Sequence, residues 1–341
     1  MRTPRVVPFL LLHVSLAASL AAAERSPVVV SARAGARLEL ASGERVPVEL
    51  PQGATLEATA SLEIGWLAAG TRPVSQDGRE RDLLLILGNG KTVSSLPIPQ
   101  GRAAAIRQEP LPLVEDGRLA GLVWLEGNDR QSFGVKTAAW NGAGWGEPKT
   151  IAPPGPGSQL ALAAARLQDG SWLLAWSAYD GKDDEIVWTR GQDGAWSRPQ
   201  RAAADNPVPD ITPALAAVGR GALLAWSRYE DGEYRVVVSR FQGGEWSRPE
   251  TAGPAGSLYP TFEPSPEGAA RMLFRTAAPR GWSVIDLDAA GRAGRLASLA
   301  AEESARPVVS ETPEGAVSFR WPASGVERAA AWKAMGAERK P

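Results

Sequence analysis

The sequence predicts an all-β chain folded as a β-propeller, with about six four-stranded blades. Three observations carry this: a repeat of about fifty residues, large rings that recur in two registers within it, and turn signals between short apolar runs. The repeat is plainest between Trp172-Leu173-Leu174-Ala175-Trp176-Ser177 and Ala222-Leu223-Leu224-Ala225-Trp226-Ser227. Each run leads to a tyrosine and an acid, Tyr179-Asp180 and Tyr229-Glu230, and then to Trp196-Ser197-Arg198-Pro199 and Trp246-Ser247-Arg248-Pro249. One ring position runs Trp124, Trp176, Trp226, Phe274, Trp321, and a second runs Trp145, Trp196, Trp246. Two registers in phase are the mark of radial blades sharing one core layer.

Within the unit 157–204, Leu160 to Ala165 reads as a small-residue strand suited to the crowded centre of a ring. Gln168-Asp169-Gly170 signals a tight turn. Trp172 to Ser177 reads as a strand buried on both faces, and Asp180-Gly181 to Asp184 as a polar hairpin loop. Glu185 to Thr189 follows as the third strand, and Ala195 to Pro199 as the outer one, where a free edge tolerates proline. The same phase places blades near 55–100, 106–154, 157–204, 207–253, 255–300 and 303–335. The last lacks an outer strand, which residues 28–33 are expected to supply, closing the ring and covering two sheet edges. Six fits this tally; five or seven stay open, because residues 34–65 carry no legible repeat.

The chain opens with Arg2 and Arg5, an apolar run from Val6 to Leu20, and Ala21-Ala22-Ala23. This is the pattern of a secretory signal peptide over residues 1–23. It predicts a single propeller domain over 24–341, periplasmic or secreted, with no stable membrane insertion after cleavage. The formal net charge of −1 offers no electrostatic case for nucleic acid. There is no cysteine, and the only histidine, His13, lies in the leader. Serine–histidine triads, thiol chemistry and ordinary zinc sites are thereby excluded from the remainder. Any catalysis would run on carboxylates, tyrosine, lysine or arginine.

The blade ends Asp193-Gly194-Ala195-Trp196-Ser197-Arg198-Pro199 and Gly243-Gly244-Glu245-Trp246-Ser247-Arg248-Pro249 resemble those of sialidase-like (Asp-box) six-bladed propellers. They are also similar to the blades of fucose-binding propeller lectins. The resemblance covers about residues 106–300 and speaks to fold before function. The family's Ser-x-Asp-x-Gly-x-x-Trp box survives here only in its tryptophan, at Gln192-Asp193-Gly194-Ala195-Trp196 and Gln242-Gly243-Gly244-Glu245-Trp246. The family's early Arg-Ile-Pro signature is missing. No arginine triad or tyrosine nucleophile can be matched residue by residue, so the expectation leans away from an enzyme.

Loops joining second and third strands share one face with the blade-to-blade connections, and such loops carry ligand sites on rigid scaffolds. That face is expected to hold Tyr179, Asp180, Asp210, Tyr229, Glu230 and Tyr259 as ligand-binding residues. Tyrosine rings can stack on the apolar face of a sugar while carboxylates accept its hydroxyls. No cofactor is required. Calcium is the metal that Asp180, Asp183 and Asp184 could take. The reading is thus an exported, monomeric recognition or scaffold module whose partner is a glycan or an envelope protein. A diverged sialidase-like glycoside hydrolase is the alternative.

Overall fold

The computed structural model describes residues 26–31, 35–89, 92–99, 106–128, 132–263 and 270–334. The leader read over 1–23, and residues 32 and 33 of the expected closing strand, lie outside them. The chain is an all-β propeller with five four-stranded blades among the described residues. Blade 1 comprises Thr55–Leu62, Gly65–Pro73, Arg81–Gly88 and Val93–Leu96. Blade 2 comprises Ile106–Glu115, Arg118–Gly127, Phe133–Ala139 and Lys149–Ala152. Blade 3 has Gln159–Arg166, Trp172–Tyr179 and Asp184–Gln192, with its outer strand in two pieces, Ala195–Trp196 and Gln200–Arg201. Blade 4 repeats this with Asp210–Val218, Gly221–Glu230, Glu233–Gln242, Glu245–Trp246 and Glu250–Thr251. Blade 5 comprises Ser257–Glu263, Ala270–Ala277, Arg280–Leu287 and Ala293–Ala300.

A three-stranded sheet flanks the blades at each end. The C-terminal one is Val308–Glu311, Val317–Trp321 and Val326–Ala330. The N-terminal one is Val28–Ser31, Arg37–Glu39 and Arg45–Pro47. The expected closure is corrected here: Val28–Ser31 pairs with Arg37–Glu39, not with the last sheet. Arg37–Glu39 in turn pairs with Arg45–Pro47, so these three strands form a sheet of their own. The two end sheets meet instead through side chains, Arg320 to Glu39 at 2.5 Å and Arg45 Nη2 to the Pro322 carbonyl at 2.7 Å. After the last sheet the chain crosses back, and Lys333–Ala334 pairs with the outer strand of blade 5. Trp332 there lies under the guanidinium groups of Arg295 and Arg271, at 4.3 and 5.1 Å. Among the described residues no helix is long and apolar enough to cross a membrane.

Each interface between neighbouring blades is one hydrophobic cluster. Trp124, Trp176, Trp226, Phe274 and Trp321 are fully buried, each wedged against the preceding blade. This is the packing role that the repeat implies. Trp145, Trp196 and Trp246 are half-buried and cap the outer ends of three of these clusters. The Trp-Ser-Arg-Pro repeat also acquires a physical reason. Proline breaks the outer strand, and the preceding serine bridges the gap. Ser197 Oγ accepts the amide of Arg190, while its carbonyl accepts Thr189 Oγ. Ser247 does the same for Arg240 and Ser239.

The innermost strands share a second device, a bulge near the start. It places Glu109, Ala161, Thr212 and Tyr259 at φ between 51 and 58°, a region side chains avoid. Recurrence in four blades marks it as architectural. The displaced amides find acceptors on the neighbouring blade: Glu109 N donates to Glu57 Oε2, Leu162 N to Glu109 Oε2, and Tyr259 N to Ser227 Oγ.

Candidate functional site

The second-to-third-strand hairpin of blade 3 carries acids on both faces, and alternation along the strand sorts them. Ile186 and Trp188 pack against blade 4, while Val187 packs toward blade 2. Asp184 shares the face of Ile186, whereas Asp183 and Glu185 share the face of Val187. Two groups result: Asp183 and Glu185 meet Arg201, Asp205 and Asp210, whereas Asp184 acts on Tyr234.

On the Val187 side, Asp180, Asp183 and Glu185 each bring a carboxylate oxygen within 4.8 Å of the others. Asp180 also holds the loop: its Oδ1 accepts the amides of Lys182 and Asp183, at 2.9 and 3.4 Å. These backbone bonds, with Arg201 nearby, hold its carboxyl below the usual range. Arg201 pairs with Asp180 Oδ2 at 2.6 Å and with Asp205 at 2.5 Å, and its Nη1 lies 3.7 Å from Glu185. Burial pushes Glu185 up to about 7, and a hydrogen bond shared with Asp205 contributes. Asp205 is correspondingly lowered, by that bond and by Arg201. Asp183 is 9% exposed, and its Oδ1 has no hydrogen-bond partner. Burial, followed by the charges of Asp180 and Asp205, raises its carboxyl.

Asp184 brings no oxygen into this group, although burial, followed by the charges of Asp183 and Asp180, raises its carboxyl. It faces a tyrosine cluster on the blade 4 side. Tyr229 and Tyr234 are cross-strand partners whose rings meet edge to face at 5.1 Å. Burial, and then Asp184, Tyr259 and Tyr229, raise the Tyr234 phenol above its ordinary value. Tyr179 and Tyr229 are 36% and 37% exposed; Tyr179 is the last residue of the second strand of blade 3, and Tyr229 the last but one of that of blade 4. Glu230 and Tyr259 are half-buried on the same rim.

Asp210 has a different surrounding from the one expected of a ligand contact. It is 1% exposed and held by Arg228 through two bonds, Nε to Oδ1 at 2.8 Å and Nη2 to Oδ2 at 2.7 Å. Asn206 donates to the same carboxylate at 3.3 Å. Its charge is matched inside the protein, where the bidentate fork is strongest. Asp205, on the connection before Asp210, joins the first cluster, and Glu185, Arg201, Arg228 and Tyr234, which were not among the candidate residues, complete the two. Glu185 was legible by alternation from Asp183, and Tyr234 by its place opposite Tyr229; the arginines needed the folded ring.

A further pair of acids lies where the innermost strands pack on one another. Glu57 accepts Thr71 Oγ1 at 2.7 Å as well as the Glu109 amide. Burial, and secondarily the charge of Glu57, pushes Glu109 up to about 7.

No protein-family model matches the sequence. No curated protein matches it either. Solved structures do share the fold. An ulvan lyase of polysaccharide lyase family PL25 superposes with a TM-score of 0.56 at 8% identity, over 92% of this chain and 94% of that one. The GH93 α-L-arabinofuranosidase of Fusarium graminearum gives 0.51 at 10% identity, over 80% and 90% of the two chains. A protein of unknown function from Dyadobacter fermentans gives 0.50 at 12%, over 80% and 92%. At these identities the likeness is one of fold: this chain is a β-propeller distantly similar in structure to carbohydrate-active enzymes.

Proposed function

We propose that this chain is an exported recognition module that binds a carbohydrate across the rim of blades 3 and 4. One observation carries the reading. Tyr179 and Tyr229 present exposed rings at equivalent strand ends, with Tyr234 and Tyr259 beside them and carboxylates on either side. Exposed rings among hydrogen-bonding acids suit a ligand with apolar faces and many hydroxyls. The arabinofuranosidase and the ulvan lyase of this fold have structures with arabinobiose and with a GlcA–Rha3S oligosaccharide. That makes carbohydrate the first class to test. The sialidase-like and lectin-like resemblance of the blade ends points to the same class.

The test is a broad glycan array probed with the purified protein, followed by titration of the best ligand. Tyr229→Ala is expected to weaken binding about tenfold, the loss of one stacked ring. Absence of binding to any glycan would remove the reading and leave an envelope-protein scaffold as the account. Turnover of a bound glycan would make the chain an enzyme rather than a binder.

A further inference from the structure

We propose that Asp180, Asp183 and Glu185 bind a hard divalent cation, calcium by the chemistry of the donor set. Two independent observations meet at this place. The three carboxylates converge within 4.8 Å, from a hairpin loop and the strand that follows it. Within the cluster, Asp183 is 9% exposed, and its Oδ1 is buried without a hydrogen-bond partner. A carboxylate removed from water needs a compensating donor or charge. The nearby cations supply it only in part. Arg201 is engaged with Asp180 and Asp205, and Arg228 with Asp210. Lys182 is exposed. The acids Asp180, Asp183, Glu185, Asp205 and Asp210 therefore outnumber the three cations near them, Arg201, Arg228 and Lys182.

All the donors are oxygen. No described residue is a histidine or cysteine, so the set selects a hard ion over zinc or copper. Three carboxylates supply part of the six to eight oxygens that calcium takes, and solvent on the open side supplies the rest. Calcium accepts a variable coordination geometry whereas magnesium demands a near-ideal octahedron, which favours calcium on three carboxylates drawn from a loop and a strand. The inference needs no sugar, and its experiment is run without glycan, so its failure and that of the carbohydrate reading are distinguishable.

The experiment is calorimetric titration of chelator-treated full-length protein with calcium chloride, in the absence of glycan. One site is expected, with a dissociation constant of about 10⁻³ M or tighter. Asp183→Asn should weaken it at least about tenfold, because ligand charge sets affinity in such sites. Asp184→Asn, which removes a neighbouring charge but no ligand atom, should weaken it less. The melting temperature of metal-free Asp183→Asn shows whether that variant is folded; if it is not, Asp180→Asn serves in its place. Absence of a binding isotherm for the wild type would overturn the site. So would an isotherm that survives Asp183→Asn, or one lost equally in Asp184→Asn. Tighter binding of magnesium than of calcium would overturn the choice of ion.

Discussion

Blades 3 and 4 are built on almost the same sequence, yet the ends of their second strands differ in kind. In blade 3 the first residue of the inner strand, Gln159, lies opposite Ala178; in blade 4 Asp210 lies opposite Arg228. Gln159 turns to the core and accepts the indole N–H of Trp176. Asp210 is held by Arg228, and the equivalent indole, that of Trp226, has no acceptor and lies under the Arg228 guanidinium at 5.4 Å. The following hairpins diverge in the same way. Blade 4 closes with Asp231-Gly232, both at positive φ, the two-residue turn that fits a twisted ribbon. Blade 3 uses a longer loop, and this loop carries the acids. The repeat fixes the scaffold, whereas the residues at strand ends are free to become a salt bridge in one blade and an acidic cluster in the next.

The largest expected effect separates the two blades outright. Arg228→Ala leaves Asp210 charged and buried, and should lower stability by about 3–5 kcal/mol in urea unfolding. Adding Asp210→Ala should recover part of that loss, whereas a double mutant no better than Arg228→Ala would show that the pair is not what binds the two strands there. Blade 3 has no buried charge at this place to expose.

A second contrast sets blade 2 against blade 3 at the inner-strand bulge, where Glu109 stands in the position of Ala161. Burial and Glu57 raise Glu109 from 4.5 to about 7. Between those values the folded chain keeps a proton that the unfolded chain has released. Stability should therefore fall as pH rises from about 4.5 to 7, by about 3 kcal/mol at most. Glu109→Gln, which keeps an acceptor for the Leu162 amide, should flatten that slope. Denaturation midpoints for both proteins across this window are the measurement, and parallel curves would refute the assignment.

The smallest effect sharpens the comparison of the two buried tryptophans. Trp176→Phe strands the Gln159 acceptor, whereas Trp226→Phe strands nothing. The first should cost about 1–2 kcal/mol more than the second, since ring volume is lost equally in both. Equal losses would mean that the Gln159 bond contributes nothing net.

Sequence by itself determined the class of fold, the phase of the blades and the buried ring at the centre of each interface. These follow from short-range alternation and from a spacing repeated along the chain, and both are written in one dimension. It also brought Asp180 and Asp183 together, because they share one loop. Only the tertiary structure decided the rest. The N-terminal stretch forms its own sheet, since a strand chooses its partner by what lies beside it in the closed ring. Glu185 replaces Asp184 in the acidic cluster, because the neighbouring blades determine what each face of a strand meets. Asp210 is neutralised rather than offered to a ligand, because Arg228 comes from across the ladder. Arg201 and Asp205 reach the cluster from the outer strand and the connection beyond it. Charge compensation of this kind depends on distances between segments far apart in the chain, which spacing along the sequence does not encode.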